Sequence, residues 1–88
     1  MTINFMIENQ LLNLIRDVFM GGDPEAIILP TEDFIESGIC DSLGLVRLAT
    51  ALEAEFPGIH IHDQEINRET IGSLALLNSF IPAKMEDV

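Results

Sequence analysis

An all-α fold, a bundle of three main helices and one short one, is what this sequence predicts. Three observations carry that expectation. Apolar residues recur at i, i+3, i+4 and i+7 over separate stretches, the period of an amphipathic helix. Gly21-Gly22-Asp23-Pro24, Pro57-Gly58 and Pro82 stand where those stretches stop. No apolar–polar alternation is long enough, or has a partner, to make a paired strand.

The first helix is expected over about residues 4–19. Ile7, Leu11, Leu14, Ile15 and Val18 form one apolar stripe, with Glu8, Arg16 and Asp17 off it. Glycine then frees the backbone and Pro24 disfavours helix in the residue before it. Residues 21–41 make a long connection. Ile27-Ile28-Leu29 and Phe34-Ile35 are its expected anchors, Pro30-Thr31 turn it, and Thr31–Phe34 is the place for one helical turn.

The second helix is expected from Ser42 to Phe56, on the stripe Leu45, Leu48, Ala49, Leu52 and Phe56. Ile59-His60-Ile61-His62 alternates like a strand but reads as an extended loop. Asp63-Gln64-Glu65-Ile66 opens a short third helix capped by Asp63. The last helix spans about residues 73–81, with Leu74, Leu77 and Ile81 on one face, Ser73 or Thr70 as cap, and Pro82 closing it. The expected domain is therefore residues 1–82, with 83–88 a frayed tail.

Composition narrows the function. At 88 residues there is room for one domain, and 48% hydrophobic residues with a mean hydropathy of +0.31 separate it from a disordered acidic tail. A net charge of −11 argues against nucleic acid and anionic membrane surfaces and favours basic protein partners. The charge is uneven. Asp23, Glu25, Glu32, Asp33, Glu36 and Asp41 lie in residues 20–41, which hold no Lys or Arg.

Cys40 is the only cysteine, so an intramolecular disulfide and a multi-cysteine metal site are both excluded. It reads as a semi-buried thiol in a reducing compartment, with no neighbouring base to activate it. His60 and His62 form a His-x-His pair, yet zinc usually takes four ligands, so no metal is expected. The N-terminus lacks a basic stretch followed by a cleavage site, and no apolar run is long enough to cross a bilayer. The cytoplasm is the expected compartment.

Asp41-Ser42-Leu43 carries the chemistry. Ser42 falls where the best-patterned helix begins, and free N–H groups with the helix dipole favour a phosphate there. As an isolated residue it would be an ordinary N-cap, worth about 1 kcal/mol. Leu43 and Val46 lie off the core stripe, as a docking patch or as peripheral core. Asp41 is either a solvated acid or a recognition group.

The run Phe34-Ile35-Glu36-Ser37-Gly38-Ile39-Cys40-Asp41-Ser42-Leu43-Gly44-Leu45-Val46 resembles the acyl carrier protein family at its attachment site. Leu52-Glu53-Ala54-Glu55-Phe56 is similar to the end of that family's second helix, Ile59 to Glu65 to its following acidic loop, and residues 71–81 to its last helix. The resemblance implies a four-helix bundle of the acyl-carrier type. It implies that Ser42 carries 4′-phosphopantetheine, transferred from coenzyme A by a phosphopantetheinyl transferase, and that the arm's thiol holds an acyl or aminoacyl thioester. The protein would be a carrier and not an enzyme, and it is expected to be a monomer.

On this reading Gly38 gives the turn and close approach that a modifying enzyme needs. Asp41 orients the serine or meets a basic partner, and Leu43 sits beside the attachment point. Val46, Arg47 and Glu53 face partners, with the surrounding acids steering their approach. Gly44, Arg47 and Ala54 stand where many fatty-acid carriers are acidic. Gly44 also weakens the helix by about 1 kcal/mol relative to alanine. Residues 36–42 are closer to discrete aminoacyl, D-alanyl and peptidyl carriers, which implies loading by an acid-activating ligase. The alternatives are a transacylase-loaded carrier of fatty-acid or polyketide synthesis and an unmodified acidic adaptor.

Overall fold

The computed structural model describes residues 2–86. Helices α1 (Thr2–Phe19), α2 (Ser42–Glu55), α3 (Arg68–Ile71) and α4 (Leu74–Glu86) follow in order, with one 3-10 turn at Asp63–Glu65. No strand occurs among the described residues, and three of the helices are long, as the periodicity predicts. The radius of gyration is 12.0 Å, matching the value of about 12 Å for a compact domain of this length.

The apolar stripes meet in one core. α1 packs against α2 and α4, and α3 packs against α4. Ile7, Leu11 and Ile15 of α1 are buried with Leu45, Leu48, Ala49 and Leu52 of α2, and with Leu74, Leu77 and Ile81 of α4. Phe56 closes α2 as its C-cap and is buried as well. Each fully buried Leu or Ile side chain contributes about 1.5–3 kcal/mol. α1 ends where Gly21 and Gly22 take φ of +61° and +75°, and the Gly22 N–H turns back to the Arg16 carbonyl at 2.9 Å. No helix among the described residues is long and apolar enough to cross a membrane.

The connection between α1 and α2 departs from expectation in two places. Of Ile27-Ile28-Leu29 only Ile28 is an anchor; its neighbours face solvent. The helical turn lies not at Thr31–Phe34 but over residues 34–38. Asp33 Oδ1 caps it, accepting the Ile35 and Glu36 N–H groups at 2.9 and 3.0 Å. The signal is Asp33-x-x-Glu36, an N-terminal capping pattern placed later than the expected turn. Phe34 is the stronger of the expected second pair, fully buried, while Ile35 is partly buried.

After α2 the chain is extended, with Ile59 and Ile61 buried and His60 and His62 exposed. The expected helix capped by Asp63 is only a 3-10 turn, entered at His62, whose N–H donates to Glu65 Oε1 at 2.8 Å. The short α-helix comes later, at Arg68–Ile71. Ser73 caps α4 by accepting the Leu76 N–H at 3.2 Å.

Pro82 does not close α4, which runs on to Glu86. Proline removes the donor that the Asn78 carbonyl would use, a cost that ordinarily stops a helix. A side-chain tie offsets it here. Lys84 Nζ lies 2.8 Å from Glu65 Oε1, with the lysine side chain only 15% exposed, and 5.5 Å from the Phe80 ring centroid. The expected frayed tail is thus helical at 83–86, while Asp87 and Val88 fall outside the described residues.

Candidate functional site

The loop leading into α2 is held from two sides. On one side Phe34 donates its N–H to the Gly72 carbonyl at 2.9 Å and accepts the Cys40 N–H at 3.0 Å. Arg68 of α3 reaches Asp33 through Nε and Nη2 at 3.2 and 3.1 Å, and lies 3.5 Å from Glu36. The Glu36 amide, joined by the Ile35 amide and Arg68, holds the Asp33 carboxyl below its ordinary value, against an opposing pull from burial. Gly38 takes φ of +84°, in the left-handed region, at the sharp turn expected of it, with open space where a Cβ would stand.

On the other side the loop presses on α2 and α1. A Cβ built on Gly44 would lie 2.5 Å from the Cys40 Cβ, and 3.2 Å from Phe19 Cε1. The position that looked like a weak point in α2 is therefore a point of close packing. Burial raises the Cys40 thiol's pKa, and the charges of Asp41 and Asp33 raise it further, against a lowering by Arg47. It is a packed thiol rather than an activated one.

Asp41 is the N-cap of α2. Its Oδ1 accepts the Gly44 N–H at 2.9 Å while its backbone is extended, at φ −104° and ψ −174°. Ser42 is the first helical residue and is exposed. Its hydroxyl makes no hydrogen bond among the described residues. The ordinary role of a serine at a helix start is thus taken by its neighbour, and the Ser42 oxygen is left accessible beside the remaining free amides of the first turn. These residues fit a phosphoester on Ser42.

Leu43 and Val46 are 73% and 49% exposed, so neither is core. One helical turn apart, they share a face next to Ser42. Arg47 is exposed too, but its Nη2 donates to the Val18 carbonyl at 3.3 Å and its guanidinium stands 5.8 Å from the Phe19 ring centroid. It therefore closes the C-terminal end of α1, where the helix dipole favours a cation.

Glu53 does not join this cluster. It lies about 16 Å further along the helix axis. There its Oε2 accepts the Ile61 N–H at 2.8 Å and sits 3.3 Å from His60 Nδ1, tying down the loop after α2. The His60 and His62 rings meet edge to face at 4.7 Å. Among the described residues no group of three or more His, Cys, Asp or Glu side chains is placed to hold a metal ion.

Sequence reasoning missed Asp33 and Arg68 as the lock on the attachment loop. The capping pattern at Asp33 was there to find; nothing in the sequence pairs it with an arginine 35 positions away.

A family model described as the phosphopantetheine attachment site matches residues 9–77. No curated protein and no solved structure matches the chain. The matched span runs from within α1 to within α4 and includes the whole capped start of α2. The protein thus belongs to the phosphopantetheine-attachment-site family, whose domain bears 4′-phosphopantetheine covalently.

Proposed function

We propose that Ser42 is the attachment residue and that the protein is a non-catalytic carrier for acyl or aminoacyl groups. The observation that carries this reading is the free, exposed Ser42 hydroxyl at the head of a helix already capped by Asp41. The Ser42 oxygen bonds to the pantetheine-bearing phosphorus of coenzyme A's pyrophosphate, the bond from that phosphorus to the bridging oxygen breaks, adenosine 3′,5′-bisphosphate leaves with that oxygen, and the serine proton passes to the transferase. The group supplies a terminal thiol on which cargo is held as a thioester. The chain's own part is to hold Ser42 rigidly on a locked loop and to offer Leu43 and Val46 to successive enzymes. Tethering then raises the cargo's effective concentration at each of them.

The electrostatics support basic, moderately charged partners. All four basic side chains of the chain are engaged within it: Arg16 on the Ala26 carbonyl, Arg47 on that of Val18, Arg68 on Asp33 and Glu36, and Lys84 on Glu65. Arg68 offsets Asp33 and Glu36, Asp41 has no ion pair among the described residues, and the net charge of −11 leaves the field negative overall. Gly44 has no room for the carboxylate that many fatty-acid carriers place there. That supports loading by an adenylate-forming ligase acting on a free acid or amino acid in the cytoplasm.

The test is an intact mass after incubation with coenzyme A and a broad-specificity phosphopantetheinyl transferase. One added group on the wild type and none on Ser42→Ala is the expected result. No addition to the wild type, or an equal addition to Ser42→Ala, overturns it and favours an unmodified adaptor. A neighbouring ligase with ATP and a panel of acids then assigns the cargo; efficient malonyl loading by a transacylase instead moves the assignment to fatty-acid or polyketide synthesis.

A further inference from the structure

We infer that residues 25–32, in the connection between α1 and α2, form a second docking edge for an apolar, cationic segment of a partner protein. The segment is fixed at both ends. Arg16 Nε donates to the Ala26 carbonyl at 3.0 Å, and the Ala75 N–H donates to the Pro30 carbonyl at 2.8 Å. Between these pins the side chains alternate. Ile28 is buried at 7% exposure, while Ile27 and Leu29 point outward at 80% and 58%. Outward-facing apolar side chains on a pinned backbone are a presented surface rather than the byproduct of a loose loop.

The backbone is open only at the centre. Neither Ile27 nor Ile28 makes a backbone hydrogen bond among the described residues. Their neighbours are engaged, Ala26 and Pro30 through their carbonyls and Leu29 through the Glu32 N–H, so recognition rests on the outward side chains. Charge decides the occupant. Glu25 stands at one end and Glu32 at the other, and no Lys or Arg occurs between residues 20 and 41. The nearest cation, Arg16, is already engaged on the segment's own backbone. A second copy of this chain, at net charge −11, would be repelled. The matching partner brings apolar side chains against Ile27 and Leu29, and Lys or Arg beside Glu25 and Glu32.

This edge does not depend on Ser42 or on its modification, and its test uses neither. The full chain, isotope-labelled, is titrated with a short capped peptide of alternating lysine and valine. Amide shifts should saturate over residues 25–32. The double variant Ile27→Ser/Leu29→Ser, whose changes are at exposed positions, should bind roughly tenfold or more weakly. A lysine–serine peptide should bind the wild type no better than that. Equal binding by the lysine–serine peptide or by the double variant would reduce the edge to charge alone and overturn the proposal. So would shifts centred on Ser42–Arg47, which would assign the peptide to the face beside the attachment serine.

Discussion

Gly44 and Cys40 are packed so closely that a methyl group on the glycine would come within 2.5 Å of the cysteine's Cβ. The contact joins the first turn of α2 to the loop that delivers Ser42, with Phe19 of α1 behind it. Local propensity and tertiary packing therefore pull in opposite directions at this position.

Packing should win. Gly44→Ala would gain about 1 kcal/mol in an isolated helix. Overpacking against a fixed Cβ costs about 1–3 kcal/mol. The variant should have a lower urea midpoint than the wild type. Cys40→Gly should recover part of the loss in the double variant, because it removes the opposing atom; Cys40→Ala should not, because it keeps that atom. A Gly44→Ala protein more stable than wild type would contradict the contact.

Asp41 should separate capping from charge. Asp41→Ala removes the acceptor of the Gly44 N–H and should cost about 1 kcal/mol. Asp41→Asn keeps an acceptor and should melt close to the wild type. If the carboxylate also meets a basic transferase, both variants should be modified more slowly. Thermal melts and a modification time course, read together, distinguish the two roles.

The three main helices were legible because their faces are one-sided. Each stripe residue of α2 and α4, from Leu45 to Ile81, is buried as its spacing demands. What was not legible depends on partners distant in sequence. Pro82 alone says stop, and only the Lys84–Glu65 contact explains why α4 continues. Gly44 alone reads as a weakness, and only Cys40 and Phe19 show why no side chain fits. Ser42 could be placed at the helix start by pattern. That Asp41, and not Ser42, takes the capping bond required the backbone geometry.

Asp33 should contribute to acid sensitivity. Its carboxyl is held below its ordinary value of 3.8 in the fold, first by the Glu36 amide. The ionised form therefore stabilises the fold above that value, and the contribution is lost as pH falls through the lowered folded value. Asp33→Asn should be less stable than the wild type near neutrality, with the difference shrinking below about pH 4. Urea midpoints measured across that range check the sign; a difference that grows on acidification would contradict it.

Arg47 should matter for stability as well as for partner choice. Arg47→Glu would place an anion at the C-terminal end of α1, against the Val18 carbonyl. Such charge placement costs about 0.3–1 kcal/mol near an exposed helix end, screened by salt. The melting temperature should fall modestly and recover in part at high salt. Any change in ligase kinetics must then be compared with Arg47→Gln, which removes the cation without adding repulsion.

Val46→Asp tests the docking face most directly, because position 46 is half exposed and position 52 of the same helix is fully buried. A carboxylate at 46 meets water in the free protein, so the fold should be retained, with an unchanged helical spectrum and a melting temperature close to wild type. Against a partner that covers Leu43 and Val46, the same carboxylate must be desolvated, and modification by the transferase should slow through KM. Leu52→Ala is the opposing control. It should cost about 2–5 kcal/mol and lower the melting temperature sharply, while whatever fraction stays folded is modified at the normal rate. If Val46→Asp melts like Leu52→Ala, the exposed face is part of the structure and not a surface for partners.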